Sequence, residues 1–253
     1  MIDLSRLREA FAGFEEDYVI IGGTACELHL DVAGFSFRAT KDIDMVIVAQ
    51  TLSKDFAARI FNFVTDGGYE LWTRKETGQQ HFYRFEKPKA DGFPYMLELF
   101  GARPDELENK LGELTRLRAG NEWLSLSAIV LNPEYMDFVR TGMQVTDGLS
   151  ILGVEHLIPM KAYAHLDLAQ RKEGGESVRS VDVKKHKNDV FRLAQVADPQ
   201  WQGNVPDLVS GHVAEFISKM REEAVDLKAL RIPGERETTL DLLETLYAPR
   251  GTA

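Results

Sequence analysis

The residues that decide the fold run from Tyr18 to Val48 and read YVIIGGTACELHLDVAGFSFRATKDIDMVIV. The first four predict a strand, because Tyr, Val and Ile suit a pleated, half-buried surface. The pair Gly22-Gly23 then interrupts the strand, and residues 24–30 carry a helical pattern. A helix that begins directly after a strand presents unpaired backbone N–H groups, which attract anions. The stretch therefore predicts a turn at which a phosphate group can approach the backbone.

A second strand is predicted at residues 41–48, which read KDIDMVIV. Strand alternation places Asp42 and Asp44 on one face, with Ile43 and Met45 on the other. Two neighbouring carboxylates repel each other unless a cation or a proton lies between them. A divalent cation that prefers oxygen ligands meets this need, so both aspartates are candidate metal ligands. An Asp-x-Asp pair is also common on polar strand edges, and the pair alone leaves that alternative open.

Gly22-Gly23-Thr24, followed by Arg38-x-Thr40-x-Asp42-Ile43-Asp44, resembles the opening motifs of the nucleotidyltransferase superfamily. Within it, the motifs look most like those of the AbiEii/AbiGii-type toxin nucleotidyltransferases. The resemblance implies an α/β (α+β) fold, with a nucleotidyltransferase-like mixed sheet, flanking helices and a helical C-terminal domain. It also implies a nucleoside triphosphate bound with Mg²⁺, or with Mn²⁺ as the alternative ion. Gly22, Gly23 and Thr24 would hold its phosphates.

The same resemblance implies a third acidic residue on a later strand. Glu98 is the best candidate, because it lies between Leu97 and Leu99 on a strand predicted at 95–100. An acid between apolar neighbours on a strand is also typical of the exposed face of a one-sided sheet. Glu70 and Glu86 are the fallback candidates.

Two residues of the C-terminal half match later motifs of the family. Lys161 lies on the apolar side of a predicted helix, where it would contact triphosphate oxygens; a lysine whose stem packs while its ammonium reaches water is the alternative. Asp189, in the segment 185–190 (KHKNDV), matches the acid of the fourth motif and would assist nucleotide binding. The alternative for Asp189 is an exposed charge paired with Lys185 at four residues' spacing.

Composition narrows the class of protein. The chain has 253 residues and a net charge of −10, with 44% hydrophobic and 28% charged residues, as in ordinary soluble globular proteins. No apolar run approaches the roughly 20 residues of a membrane span, and the N-terminal residues lack a signal-peptide layout. The single Cys26 excludes an internal disulfide and favours a reducing compartment. We expect a cytoplasmic protein in which Cys26 is a packed core residue.

Positive charge is concentrated in one segment, between residues 171 and 192. This basic cluster consists of Arg171, Lys172, Arg179, Lys184, Lys185, Lys187 and Arg192. Nucleic-acid binders use such charges on phosphates, so an RNA acceptor is predicted to dock there. A charged helix face with an adjoining loop is the alternative.

Local patterns predict the remaining elements and two domains, 1–152 and 153–253. Helices are expected at 2–14, after an N-cap at Ser53, at 104–114, at 133–140, from 154, from about 182, and along apolar stripes at 208–220 and 240–246. Strands are expected at 69–74, 81–85, 95–100, 123–131 and 149–152.

Together these features predict a Mg²⁺-dependent enzyme that moves a nucleoside monophosphate from a triphosphate to an acceptor hydroxyl. By resemblance, Asp42, Asp44 and Glu98 would hold the metal, and Lys161 would offset phosphate charge. The acceptor is open between tRNA, a protein and a small molecule; a toxin role implies a cognate antitoxin.

Two other classes of function are weighed against this one. A metal-dependent glycosyltransferase could use Asp42 and Asp44 for a sugar nucleotide, but it has no use for the glycine turn. A catalytically silent nucleotide-fold protein could act by binding a partner, although the intact acidic residues count against silence.

Overall fold

The computed structural model describes residues 3–35, 37–38, 40–48, 53–71, 82–101 and 132–249. The chain divides into two compact units. The first, which we call the sheet unit, draws its described residues from 1–31, 36–118 and 143–152. The second, the helical unit, draws them from 32–35, 119–142 and 153–253. No helix in the described part of the chain is long and apolar enough to cross a membrane.

The sheet unit combines three helices with a seven-stranded mixed sheet in the described residues. In chain order its elements are α1 (Ser5–Phe11), β1 (Tyr18–Ile21), α2 (Gly22–Val32), β2 (Asp42–Ile47), α3 (Lys54–Gly67), β3 (Glu70–Leu71), β4 (Phe82–Glu86), β5 (Met96–Gly101), β6 (Met143–Thr146) and β7 (Leu149–Leu152). The strand order is β3-β4-β5-β2-β1-β7-β6. β2 pairs with β5, and β1 with β7, in parallel; the other neighbours are antiparallel. This confirms the predicted mixed sheet with flanking helices.

One face of this sheet is an apolar core. The ring of Tyr18 on β1 lies 5.5 Å from that of Phe11 on α1 and 6.1 Å from that of Phe56 on α3. Ile43 and Met45 on β2 are fully buried, as the predicted alternation requires. Because side chains alternate along a strand, Asp42 and Asp44 lie on the opposite face, where both are only partly buried.

The predicted N-cap of α3 is confirmed. Its N-cap is Ser53, whose Oγ accepts a hydrogen bond from the backbone N–H of Phe56 at 3.0 Å. At the other end Gly68 adopts φ = 60°, the left-handed conformation that suits a glycine after a helix.

The strand β6 was not predicted from the sequence. It forms a hairpin with β7 through Asp147 and Gly148, whose φ angles are 50° and 71°. Asp-Gly is a strong signal for such a two-residue turn, because both positions require positive φ. The signal was therefore present between residues 143 and 152. The strand predicted at 123–131 and the helix at 104–114 lie outside the described residues, as do residues 72–81.

The helical unit contains five helices in its described residues. They are α4 (Pro133–Thr141), α5 (Val154–Glu173), α6 (Ser180–Leu193), α7 (Asp207–Glu222) and α8 (Arg236–Tyr247). The apolar stripes predicted on α7 and α8 are buried, including Val213, Phe216, Leu240 and Leu243. The longest segment of this unit begins at Gly153, and α4 also belongs to the unit.

Pro159 lies inside α5 rather than in its first turn. A proline has no N–H, so the carbonyl of Glu155, four residues earlier, loses its helical partner. The Tyr247 hydroxyl donates a hydrogen bond to that carbonyl at 2.7 Å. The last residue of α8 thus satisfies a group that the proline leaves without its usual donor.

Candidate active site

An acidic row crosses three strands of the sheet unit. Asp44 on β2 is in register with Glu98 on β5, and Glu98 is in register with Arg84 on β4. Paired residues of neighbouring strands lie on the same face, so these three side chains are adjacent. The Nε of Arg84 donates to Oε1 of Glu98 at 2.6 Å. Asp42 and Glu86 occupy the next row of the same face, on either side of Met96.

Glu98 is the most buried member of this acidic row, with 5% of its surface exposed. Burial raises the pKa of its carboxyl well above the ordinary value, and Asp44 raises that pKa further through its charge and a hydrogen bond. The guanidinium of Arg84 acts in the opposite direction, but the net shift in the pKa is upward. The alternative that Glu98 is an exposed residue of a one-sided sheet is therefore wrong.

The glycine turn lies directly against this row. Gly22 adopts φ = 70°, and a Cβ built on it would overlap the Asp44 carboxylate. A Cβ on Gly23 would lie 2.7 Å from Cγ2 of Thr40. Any larger residue at either position would displace these side chains, so the glycines are needed for close approach as well as for the turn. The two motifs recognised in the sequence thus form one structural unit.

Thr24 has a different position from the one the sequence predicted. Its side chain is fully buried, and its hydroxyl donates to the backbone carbonyl of Asp42 at 2.7 Å. The hydroxyl is therefore directed at β2 and not at a phosphate. A phosphate contact through the backbone N–H of Thr24, at the start of α2, stays a prediction.

The predicted metal ligands do not form a complete cage. In the part of the chain that the structure describes, no three His, Cys, Asp or Glu side chains are grouped to hold a metal ion. Asp44 is paired with Glu98 across the two strands, whereas Asp42, two residues earlier on β2, is paired with Met96. Mg²⁺ still fits this arrangement, because proteins commonly bind it through one or two carboxylates and leave the other positions to substrate phosphates and water.

Lys161 and Asp189, predicted separately, meet inside the helical unit. The Nζ of Lys161 donates to Oδ2 of Asp189 at 3.1 Å, and Asp189 is completely buried. The Nη1 of Arg192 lies 3.6 Å from the other carboxylate oxygen. Both alternatives from the sequence are wrong, since Lys161 does not extend its ammonium to water and Asp189 is not exposed.

Much of the basic cluster is paired with acids of the same unit. Arg171 contacts Glu176 at 2.7 Å, Arg179 contacts Asp182 at 2.6 Å, and Lys187 is buried against Glu223. The exposed cations of the cluster are Lys172, Arg179 and Lys184. Docking of RNA at the cluster and the alternative of a charged helix face both stay predictions.

No family model matches the chain, and no curated protein matches it. The resemblance to AbiEii/AbiGii-type nucleotidyltransferases therefore stays a prediction that rests on the motifs themselves. The sequence did not identify Arg84 as a partner of Glu98. Arg84 lies on the strand predicted at 81–85, but periodicity does not give the register that places it beside Glu98.

Proposed function

We propose that the sheet unit is a Mg²⁺-dependent nucleotidyltransferase site. The observation that carries this proposal is the contact between the glycine turn and the acidic row. Gly22 lies against the Asp44 carboxylate, so an anion at the start of α2 would lie beside the acids that attract a cation. A triphosphate with its divalent ion has this pairing of charges.

The residues of this face have distinct tasks in the proposal. The partly buried Asp42 and Asp44 would hold the ion, which would neutralise charge on the triphosphate when bound. Backbone N–H groups of Gly23 and Thr24 receive phosphate oxygens. Arg84 holds one oxygen of Glu98 and so fixes the direction of the other.

The reaction is a displacement at the α-phosphorus of the triphosphate. The acceptor oxygen forms a bond to that phosphorus as the bond to the β-phosphate bridging oxygen breaks, and pyrophosphate leaves. The proton of the acceptor hydroxyl passes to Glu98. Arg84 holds the Glu98 carboxylate in place, and a positioned carboxylate is a suitable group to accept that proton.

The acceptor is proposed to carry a free hydroxyl, and the protein's charge bears on its class. The net charge is −10, and the basic cluster is largely paired with acids. A small-molecule or protein acceptor therefore fits the described surface better than tRNA does. A toxin role with an antitoxin partner follows only from the family resemblance.

Label transfer from each of the four triphosphates tests the proposal directly. The full chain is incubated with Mg²⁺, an α-³²P-labelled triphosphate and fractions of small molecules, protein or RNA. We expect one fraction to gain label in the wild type and none to gain it in Asp44→Asn. The exposed Asp31→Asn serves as the matched control. Equal labelling by the wild type and Asp44→Asn would overturn the proposal, as would binding of sugar nucleotides in place of triphosphates.

A further inference from the structure

A buried polar cluster, formed by Thr24, Glu27 and Thr40, links helix α2 to the strand that carries the two aspartates. Glu27 and Thr24 lie three residues apart on α2 and therefore on the same side of it. Between them lies Thr40, from the segment that precedes β2. Oε2 of Glu27 accepts hydrogen bonds from the Thr40 hydroxyl at 2.8 Å and from its backbone N–H at 3.3 Å. The hydroxyls of Thr24 and Thr40 lie 3.1 Å apart.

In two of these contacts the groups themselves determine which one donates the hydrogen bond. Oε2 of Glu27 accepts, so the Thr40 hydroxyl donates its single proton to it. The Thr24 hydroxyl donates its single proton to the backbone carbonyl of Asp42 at 2.7 Å. Both protons are used in these bonds, so the 3.1 Å contact between the two hydroxyls is a packing contact. Helix α2 is therefore tied to the chain at the start of β2 in two places, by Glu27 at Thr40 and by Thr24 at the peptide that joins Asp42 to Ile43.

All three side chains are buried, with 7% of Glu27, none of Thr24 and 9% of Thr40 exposed. Burying a carboxylate is costly, and an apolar residue of similar size would often give equal or greater stability. The buried carboxylate of Glu27 therefore indicates that this residue holds a neighbouring part of the chain in position. What it positions is the start of β2, where Asp42 and Asp44 alternate onto the acidic face.

We propose that Glu27 and Thr40 are positioning residues of the nucleotidyltransferase site, which together with the Thr24 hydroxyl hold residues 40–42 at the start of β2. This inference rests on the proposed function. Neither residue touches substrate; together they hold the first turn of α2 and the first residue of β2 in one geometry. Loss of the hydrogen bonds of this cluster lets the aspartates shift, and a displacement of about 1 Å at a reacting centre can lower the rate by roughly 100-fold.

The test compares two pairs of variants in the full chain. Thr40→Val and Glu27→Leu remove the hydrogen bond between these two side chains. Thr40→Ser keeps the hydroxyl, and Glu27→Gln keeps an acceptor oxygen. Thr239→Val, at a buried threonine of the helical unit, is the matched control. Three quantities are measured for each: the melting temperature, the Kd of Mn²⁺ with a non-hydrolysable triphosphate, and kcat and KM for label transfer.

We expect the two disrupting variants to lose at least about 10-fold in kcat and in Mn²⁺ affinity, with KM for the triphosphate changed less. The two conservative variants should stay within about 3-fold of the wild type, and Thr239→Val should change only the melting temperature. If Thr40→Val does not fold, Thr40→Ala replaces it. Wild-type kcat and Mn²⁺ affinity in folded disrupting variants would overturn the inference while leaving the proposed function intact. A wild type that neither binds Mn²⁺ nor transfers label would overturn both.

Discussion

The sheet unit and the helical unit both place charged side chains out of water, but they balance the charges differently. In the sheet unit, Asp44 and Glu98 are neighbours, and the pKa of Glu98 stays raised despite the adjoining Arg84. In the helical unit, the fully buried Asp189 has the ammonium of Lys161 at 3.1 Å. A row with excess negative charge gains from a cation, whereas a buried pair already has its counterion. This difference supports our proposal that the acidic row binds a cation, whereas we expect the Lys161–Asp189 pair to stabilise the helical unit.

The largest effect on stability is expected at Lys161. Lys161→Met leaves the carboxylate of Asp189 buried without its nearest cation, and breaking such a pair typically costs about 3–5 kcal/mol. Urea unfolding followed by circular dichroism measures the loss. The exposed Lys184→Met is the control and should change the free energy of unfolding by less than about 0.5 kcal/mol. An unchanged urea midpoint for Lys161→Met would show that the pair does not stabilise the helical unit.

A lysine whose ammonium reaches water would give a different result. A lysine that only rests its stem on an apolar face would be replaced by methionine at little cost. The helical periodicity of residues 154–168 correctly predicted that Lys161 faces the core. It carried no information about Asp189, 28 residues later, because the crossing of two helices depends on packing that neither segment encodes alone.

The second effect is a dependence of stability on pH that we expect from His156. This residue is buried, and its Nε2 lies 3.2 Å from the Thr141 hydroxyl. Burial lowers the pKa of His156 to about 4, below the 6.5 of an exposed histidine. Because the unfolded chain takes up the proton first, stability is complete above pH 6.5 and falls as the pH drops from 6.5 towards 4. The full loss is about 3 kcal/mol by the linkage of pKa to stability.

Urea unfolding at pH 7.5 and pH 5 isolates this contribution. We expect the difference in unfolding free energy between the two values to be larger for the wild type than for His156→Gln by about 2 kcal/mol. Other groups titrate equally in both proteins and cancel. Identical pH dependence in the two proteins would mean that His156 is charged or exposed in the folded state.

The smallest of these effects is expected at Tyr247. Tyr247→Phe removes the donor to the Glu155 carbonyl that Pro159 deprives of its helical partner, and a buried group left unpaired costs about 1–3 kcal/mol. The exposed Tyr95→Phe is the matched control. Thermal melts of the two variants and the wild type are compared. Equal melting temperatures for all three would contradict this account of how α5 tolerates an internal proline.

The sequence predicted the parts of the site that lie within one local pattern. Strand alternation placed Asp42 and Asp44 on one face, and the glycine pair marked the turn before α2. It did not predict that Gly22 would lie against Asp44, that Thr24 would direct its hydroxyl to β2, or that Arg84 would pair with Glu98. Each of these depends on strand register or on contacts across 14 or more residues, which periodicity does not specify.

We propose that the acidic row beside the glycine turn binds a divalent cation together with a triphosphate. Electron paramagnetic resonance of Mn²⁺ measures this directly, with and without a non-hydrolysable triphosphate, in the wild type, Asp44→Asn and the exposed control Asp31→Asn. We predict that the wild type and Asp31→Asn bind Mn²⁺ at least about 10-fold more tightly with the triphosphate present, and that Asp44→Asn loses this gain. Equal Mn²⁺ binding by all three proteins, with no effect of the triphosphate, would contradict the claim.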